Sequence, residues 1–252
     1  MKNKVTAILQ ARMNSSRFPG KVLADLNGLP MIVRQIQRIN HSKEISNLIV
    51  AISEDPSDDE LAEKLLGFNY EIYRGSQENV FSRFYNIVQM ENSSSVVRLT
   101  ADCPLVMPSI IDQVVRSFKR GSFDYMSNTI RPTYPDGLDV EIFTQRAFFQ
   151  LAETVLSDEE REHVTLGFQN RSNLFTLKNF EGNPNKSDLR WTVDYLEDLE
   201  FVRKIYSNFR GFEATFDLAD VLDFLKSNPG LESGISASRR NEALFGSNEG
   251  HN

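Results

Sequence analysis

A chain of 252 residues, 40% hydrophobic and 25% charged, can bury a substantial core and fold as one large α/β domain or two small ones. Its net charge of -7 excludes a general nucleic-acid binder, which carries a basic face, and its single cysteine excludes an intrachain disulfide. No apolar run approaches the ~18 residues that span a bilayer, and the opening Met1-Lys2-Asn3-Lys4 leads straight into a strand instead of a signal peptide, so a cytoplasmic protein without a membrane partner is expected.

Val5 to Leu9 is a short, β-rich apolar run, the first predicted strand. It empties into a loop carrying Gln10, Arg12, Asn14, Ser15, Ser16, Arg17, Gly20 and Lys21. Taken singly, such cations are ordinary surface charges. Three of them among small residues, at the carboxyl end of a first parallel strand, form a candidate polyanion site, because small residues free backbone N–H groups to meet phosphate. The loop matches neither GxxxxGK[ST] nor GxGxxG.

Gly28-Leu29-Pro30 is a turn, and Ile32, Val33, Ile36 and Ile39 recur at helical spacing. Asn47 to Ser53 is a second buried strand. Ser57 and Glu60 form a capping-box pattern ahead of Leu61, Leu65 and Leu66, with Gly67 closing the helix. Tyr70 to Tyr73 is a short strand and Glu78 to Met90 a third helix. Ser95 to Thr100 is the next strand, which delivers Asp102 to its carboxyl end, and Ile110 to Phe118 is a helix. This alternation implies a Rossmann-like, mostly parallel sheet with helices on both faces.

The rhythm then loosens. Phe123 to Ser127 and Asp139 to Phe143 are predicted strands flanking the turn-rich stretch Arg131 to Gly137. Gln145 to Leu156 and Glu159 to Gln169 are predicted helices, Leu174 to Phe180 a strand, Arg190 to Val193 a short strand, and Leu196 to Phe209 and Leu218 to Lys226 the last helices. Residues 1–231 are expected to form a single domain; from Glu232 the chain turns polar and small, as a mobile tail or one docked on a partner subunit does.

Asp102, in Ala101-Asp102-Cys103-Pro104, either holds a divalent cation over the crevice or stabilises the turn before Pro104. Asp194, three residues ahead of Glu197, has the spacing of an N-cap, and its second oxygen could face a metal. Arg74, Ser76, Asn79 and Arg83 are either turn-and-cap chemistry or a second ligand cluster. His163 is either an ordinary helix histidine or ligand-facing, Cys103 a small buried hydrophobe, and Trp191 a packing residue. No paired cysteines or clustered histidines suggest structural zinc.

QARMNSSRFPGKVL, RGSQENVFSRF, RLTADCPL, YPDGLDVE, EREHVT and RWTVDYLEDLE, in that order from Thr6 to about Leu225, resemble the spore coat polysaccharide biosynthesis cytidylyltransferases, relatives of the octulosonate and acylneuraminate cytidylyltransferases. The resemblance implies the nucleotide-diphospho-sugar transferase (GT-A-like) fold and transfer of a cytidylyl group from CTP to an acidic or phosphorylated sugar-like acceptor, with release of pyrophosphate. It places Gln10, Arg12, Ser16, Arg17, Lys21, Arg74 and Asn79 at the nucleotide, with Arg12, Lys21 and Asp102 catalytic. It gives Mg²⁺ to Asp102 and Asp194, and the acceptor to Tyr134, Asp136, Asp139, Glu141 and His163. A homodimer would be in keeping with the family. Asn14, Asn79 and Leu166 depart from residues the family often carries there, glycine, aspartate and proline respectively. A glycosyltransferase of related fold and a non-catalytic nucleotide-binding subunit are the competing readings; for the first, Asp217 and Asp220 have the wrong spacing to make an Asp-x-Asp metal motif.

Overall fold

The computed structural model describes residues 4–231. The expected tail from Glu232 lies outside the described residues.

The strands are β1 (Val5–Gln10), β2 (Asp25–Leu26), β3 (Leu29–Pro30), β4 (Asn47–Ser53), β5 (Ile72–Gly75), β6 (Ser95–Thr100), β7 (Tyr125–Ser127), β8 (Glu141–Thr144) and β9 (Leu177–Asn179). The helices are α1 (Met31–Ile39), α2 (Asp59–Gly67), α3 (Val80–Glu91), α4 (Pro108–Arg120), α5 (Gln145–Ala152), α6 (Asp158–Glu162), α7 (Leu166–Asn170), α8 (Leu196–Asn208) and α9 (Leu218–Ser227). Seven strands make one sheet in the order β5-β4-β1-β6-β8-β7-β9. Neighbours pair in parallel except across β8, which runs antiparallel to both β6 and β7.

The period of two along each strand divides the core between the two faces. Val5, Ala7 and Leu9 face one layer together with Ile32, Ile36, Val114, Val202 and Ile205. Ile8, Ala51 and Val96 face the other with Phe84, Val88, Phe148 and Phe168. The expected mostly parallel sheet with helices on both faces is therefore present.

This topology places the site. The parallel strands β1, β4, β5 and β6 all deliver their carboxyl ends, and the loops after them, to one edge of the sheet. Because β8 runs the other way, its first residue, Glu141, lies at that same edge, opposite Arg98 of β6. The turn-rich segment before β8 is thereby brought to the loops of the first half.

Several boundaries depart from the sequence reading. The Ser57–Glu60 capping box does not form: a short 3-10 turn, Pro56–Asp58, precedes α2, and the Asp55 carboxylate accepts the Ser57 N–H. Asp58 is taken up elsewhere. Its buried carboxylate accepts from Ser53 N at 2.9 Å, Ser53 Oγ at 2.6 Å and Met13 N at 2.7 Å, tying the loop after β1 to the end of β4. The predicted helix 145–156 stops at Ala152, and a capping box forms instead at Ser157 and Glu160. The predicted helix 159–169 is broken between α6 and α7, where Val164 takes φ 37°. Residues 190–193 form no named strand, only the bridge between Arg190 and Asp136.

Candidate active site

The loop after β1 is shaped by its own backbone. Gly20 adopts φ 74°, the left-handed region that glycine enters without steric cost, and its N–H closes the loop on Met13 O at 2.9 Å. The chain then turns into the 3-10 segment Lys21–Leu23, which buries the Lys21 stem and aims its ammonium across the sheet edge.

There Lys21 Nζ donates to Val193 O at 2.7 Å and Asp194 Oδ1 at 3.0 Å, and lies 3.8 Å from Asp102 Oδ2. Arg17 pairs with the same Asp194 oxygen at 2.8 Å and sits over the Tyr195 ring. Arg190 reaches the other Asp194 oxygen at 2.7 Å and Asp198 at 2.9 Å. Burial opposes ionisation of Asp194, but Lys21, Arg17 and Arg190 outweigh it and hold the carboxyl below its ordinary range. Asp194 is not the N-cap its spacing suggested. Asp198 Oδ2 accepts the N–H groups of Asp194 and Tyr195, so capping runs backward from the helix and leaves the Asp194 carboxylate to the cations.

The loops bearing these carboxylates are locked together by backbone. Val193 N donates to Asp102 O at 2.8 Å, Asp136 N to Leu189 O, and Trp191 N to Asp136 O at 2.7 Å. Gly137 is required where they cross: it has φ 99°, and a Cβ there would lie 2.8 Å from the Trp191 carbonyl carbon. Burial, with Asp102 and Asp139 adding to it, pushes the Cys103 thiol well above its usual range, so this buried cysteine is no nucleophile.

The remaining predicted residues fall into different settings. Arg12 is exposed, 3.7 Å from Glu162, and Ser16 is exposed in the same loop. Arg74 points to Ser53 O, Asp55 O and the Asp59 carboxylate, and Asn79 caps α3 by accepting from Ser82 N. Tyr134 is buried against Phe180, and Asp136 is buried beneath the crossing loops. Asp139 is partly buried. Glu141 is buried, with Tyr125, Thr165 and Arg98 all donating to its carboxylate. Asn79 and His163 line a cavity of about 650 Å³ with Ser76, Glu78, Asp158, Glu159, Arg161 and Glu162. Four of its lining residues are carboxylates and one is an arginine. Burial, followed by the charge of Arg98, lowers the His163 pKa and keeps the ring neutral near pH 7.

Sequence reasoning passed over Arg190 and Arg98. Arg190 carries a faint signal, since it stands four residues before Asp194 and eight before Asp198. Among the described residues no group of three or more His, Cys, Asp or Glu side chains could hold a metal alone. Asp102 and Asp194 do fit a hard cation that completes its shell with phosphate and water: they offer only oxygen, and they already share one positive charge, the Lys21 ammonium. No helix among the described residues is long and apolar enough to cross a membrane.

A mostly parallel α/β sheet whose strand ends gather arginines, a lysine and two aspartates defines a nucleotide-handling transferase. The chain belongs to the cytidylyltransferase family, whose model it matches over residues 6–216. It is 30% identical over 237 residues to the spore coat polysaccharide biosynthesis protein SpsF of Bacillus subtilis, covering 90% of this chain and 96% of that one. A shorter match, 34% over 127 residues, covers 48% of this chain and 50% of the 8-amino-3,8-dideoxy-manno-octulosonate cytidylyltransferase of Shewanella baltica. A cytidylyltransferase structure from Leptospira borgpetersenii superimposes with a TM-score of 0.87 at 27% identity, covering 94% of this chain and 99% of that one.

Proposed function

We propose that this protein transfers the cytidylyl group of CTP to an acidic or phosphorylated sugar-like acceptor, releasing pyrophosphate, as a cytoplasmic Mg²⁺-dependent enzyme of surface glycan synthesis. The observation that carries the proposal is the Lys21 ammonium reaching both Asp102 and Asp194 from the loop after β1. The names of the Bacillus and Shewanella relatives support polysaccharide synthesis and a sugar-acid acceptor.

The acceptor oxygen attacks the α-phosphorus in line, and the bond to the β-phosphate oxygen breaks. Little covalent work falls to the protein. Arg12, Arg17 and Lys21 bind the triphosphate and offset the charge that grows on the departing pyrophosphate. Asp102 and Asp194 would hold Mg²⁺, which when bound supplies further neutralisation of phosphate charge. Arg190 keeps Asp194 ionised and oriented as Lys21 turns to the phosphates. Gln10 and Asn79 face the nucleoside, whereas Asp139 and His163 face the acceptor. His163, neutral near pH 7, can accept a proton there.

Pyrophosphate release from CTP across a panel of sugar acids and sugar phosphates tests this. Activity should vanish with EDTA and return with Mg²⁺. Lys21→Ala and Asp102→Asn should each lose at least about 10²-fold in kcat. Near-normal rates in both variants would remove the mechanism. CTP binding by calorimetry without turnover on any acceptor would instead leave a non-catalytic subunit.

A further inference from the structure

Arg98 stands in the middle of β6, between β1 and β8, and its guanidinium reaches both neighbours. Nη2 donates to Gln10 Oε1 at 3.2 Å, and Nη1 donates to Glu141 Oε2. The other Glu141 oxygen accepts from Tyr125 Oη at 2.6 Å and Thr165 Oγ1 at 2.5 Å. Both carboxylate oxygens are thus engaged inside the protein, which removes Glu141 from the acceptor contacts and makes it an internal hub.

We propose that Arg98 is a positioning residue of the transfer site, fixing the Gln10 amide on the nucleotide side and, through Glu141, the Thr165 segment on the acceptor side. The proposal rests on the cytidylyl-transfer reading. A guanidinium has only donors, so the amide oxygen of Gln10 is the atom turned toward it, and Nε2 is left to face outward. No described side chain or backbone oxygen is recorded as accepting from that Nε2, and Gln10 ends β1 at the crevice edge. An amide held in this way presents a donor to a ligand carbonyl, ring nitrogen or hydroxyl.

The acceptor side shows why a brace is needed. Val164 holds φ 37°, a costly conformation for a β-branched residue, between His163 and Thr165. The Thr165 hydroxyl bond to Glu141 pins this break, and with it the direction of His163. Burial and the Glu141 charge raise the Tyr125 pKa far above its usual range, so Tyr125 stays a donor. Arg98 Nε is buried and has no hydrogen-bond partner, so the guanidinium is aimed by its two terminal nitrogens alone.

The test is calorimetric CTP–Mg²⁺ binding to the full chain, with thermal midpoints measured alongside. Arg98→Lys keeps a charge opposite Glu141 but lacks the fork that serves two partners. It should keep its thermal midpoint within a few degrees and bind CTP about five- to tenfold more weakly. Gln10→Ala should lose a similar factor, and the double variant no more than the larger single loss. Multiplying losses, or unchanged affinity in Arg98→Lys, overturn the proposal. Failure of the wild-type chain to bind CTP would overturn the nucleotide reading as well, so the two failures are distinguishable. The acceptor side is read without nucleotide, from the ring protons of the histidines, three in the whole chain. In Thr165→Val, which leaves the Arg98 and Glu141 charges in place and removes only the hydroxyl bond that pins the break, the His163 ring should lose burial and titrate at higher pH. An unmoved His163 overturns the acceptor half.

Discussion

Replacing Lys21 by methionine isolates the ammonium from its buried stem. In the native chain that ammonium donates to Val193 O at 2.7 Å and Asp194 Oδ1 at 3.0 Å, with the Lys21 and Asp194 side chains only 10% and 13% exposed. A hydrogen bond to a charged group contributes about 1.5–3 kcal/mol, and methionine restores the apolar part of the packing, so Lys21→Met should destabilise by about 3 kcal/mol. For a chain of this size that lowers Tm by roughly 6–12 °C. Asp194→Asn should cost about 2–3 kcal/mol, because it leaves Lys21, Arg17 and Arg190 facing an amide. The double variant should fall short of the sum by about 1–2 kcal/mol. Urea unfolding at constant m-value measures all four corners of the cycle. If the losses add within ~0.5 kcal/mol, Lys21 and Asp194 do not act on each other and the shared-cation picture is wrong. The sign with pH follows from the depressed Asp194 pKa: its contribution is present above the unfolded carboxyl value of ~3.9 and is lost as pH falls through the lower folded value. In Lys21→Met that loss should begin at higher pH.

Asp58→Ala should cost about 2–4 kcal/mol by orphaning Ser53 N and Met13 N, and native-state hydrogen exchange should show the Met13 amide deprotected. A protected Met13 amide would refute the tie between loop and strand. Gly137→Ala should lose more than about 1 kcal/mol in chemical denaturation, since φ 99° and the Trp191 backbone both oppose a Cβ. Glu160 is held at about 2, chiefly because Arg171 donates to it. Its folded pKa is depressed, so on the order of 2 kcal/mol of stability is present above pH ~4.5 and fades as pH falls toward the folded value. Glu160→Gln should flatten this part of the acid-denaturation curve, and an unchanged slope would refute the assignment.

The elements legible in the sequence are those whose own side chains decide them. Val5–Gln10, Asn47–Ser53 and Ser95–Thr100 read as buried strands because their apolar runs serve both faces of a covered sheet. Met31–Ile39 and Leu196–Asn208 read as helices because their apolar residues recur at helical spacing. The S-x-x-E pattern read as a cap at Ser57 and the equivalent one passed over at Ser157 behave differently. At Ser57, Asp55 takes the Ser57 N–H as cap of a 3-10 turn, and the Asp58 carboxylate bonds across to the loop after β1. At Ser157 nothing intervenes and the box closes. The break at Val164 was illegible because it depends on Glu141, remote in sequence. Lys21 and Asp102 could be singled out from strand-end position alone. Their meeting with Asp194, and the parts of Arg190 and Arg98, belong to loop crossings and cross-strand register that no local pattern encodes.

The reversed direction of β8 also bears on how such a protein can diversify. The loops after the parallel strands β1, β4, β5 and β6 are encoded in one uninterrupted stretch that ends before α4, and β8 opens the later stretch onto the same edge. A recombination or graft placed at the start of α4 would therefore exchange, almost as a cassette, the segments that the proposed function assigns to the acceptor. The stretch from Leu189 to Asp194 is the exception, because it returns to grip Lys21 and Asp102. Any exchanged half must bring an Arg190–Asp194 pair that docks on the resident lysine.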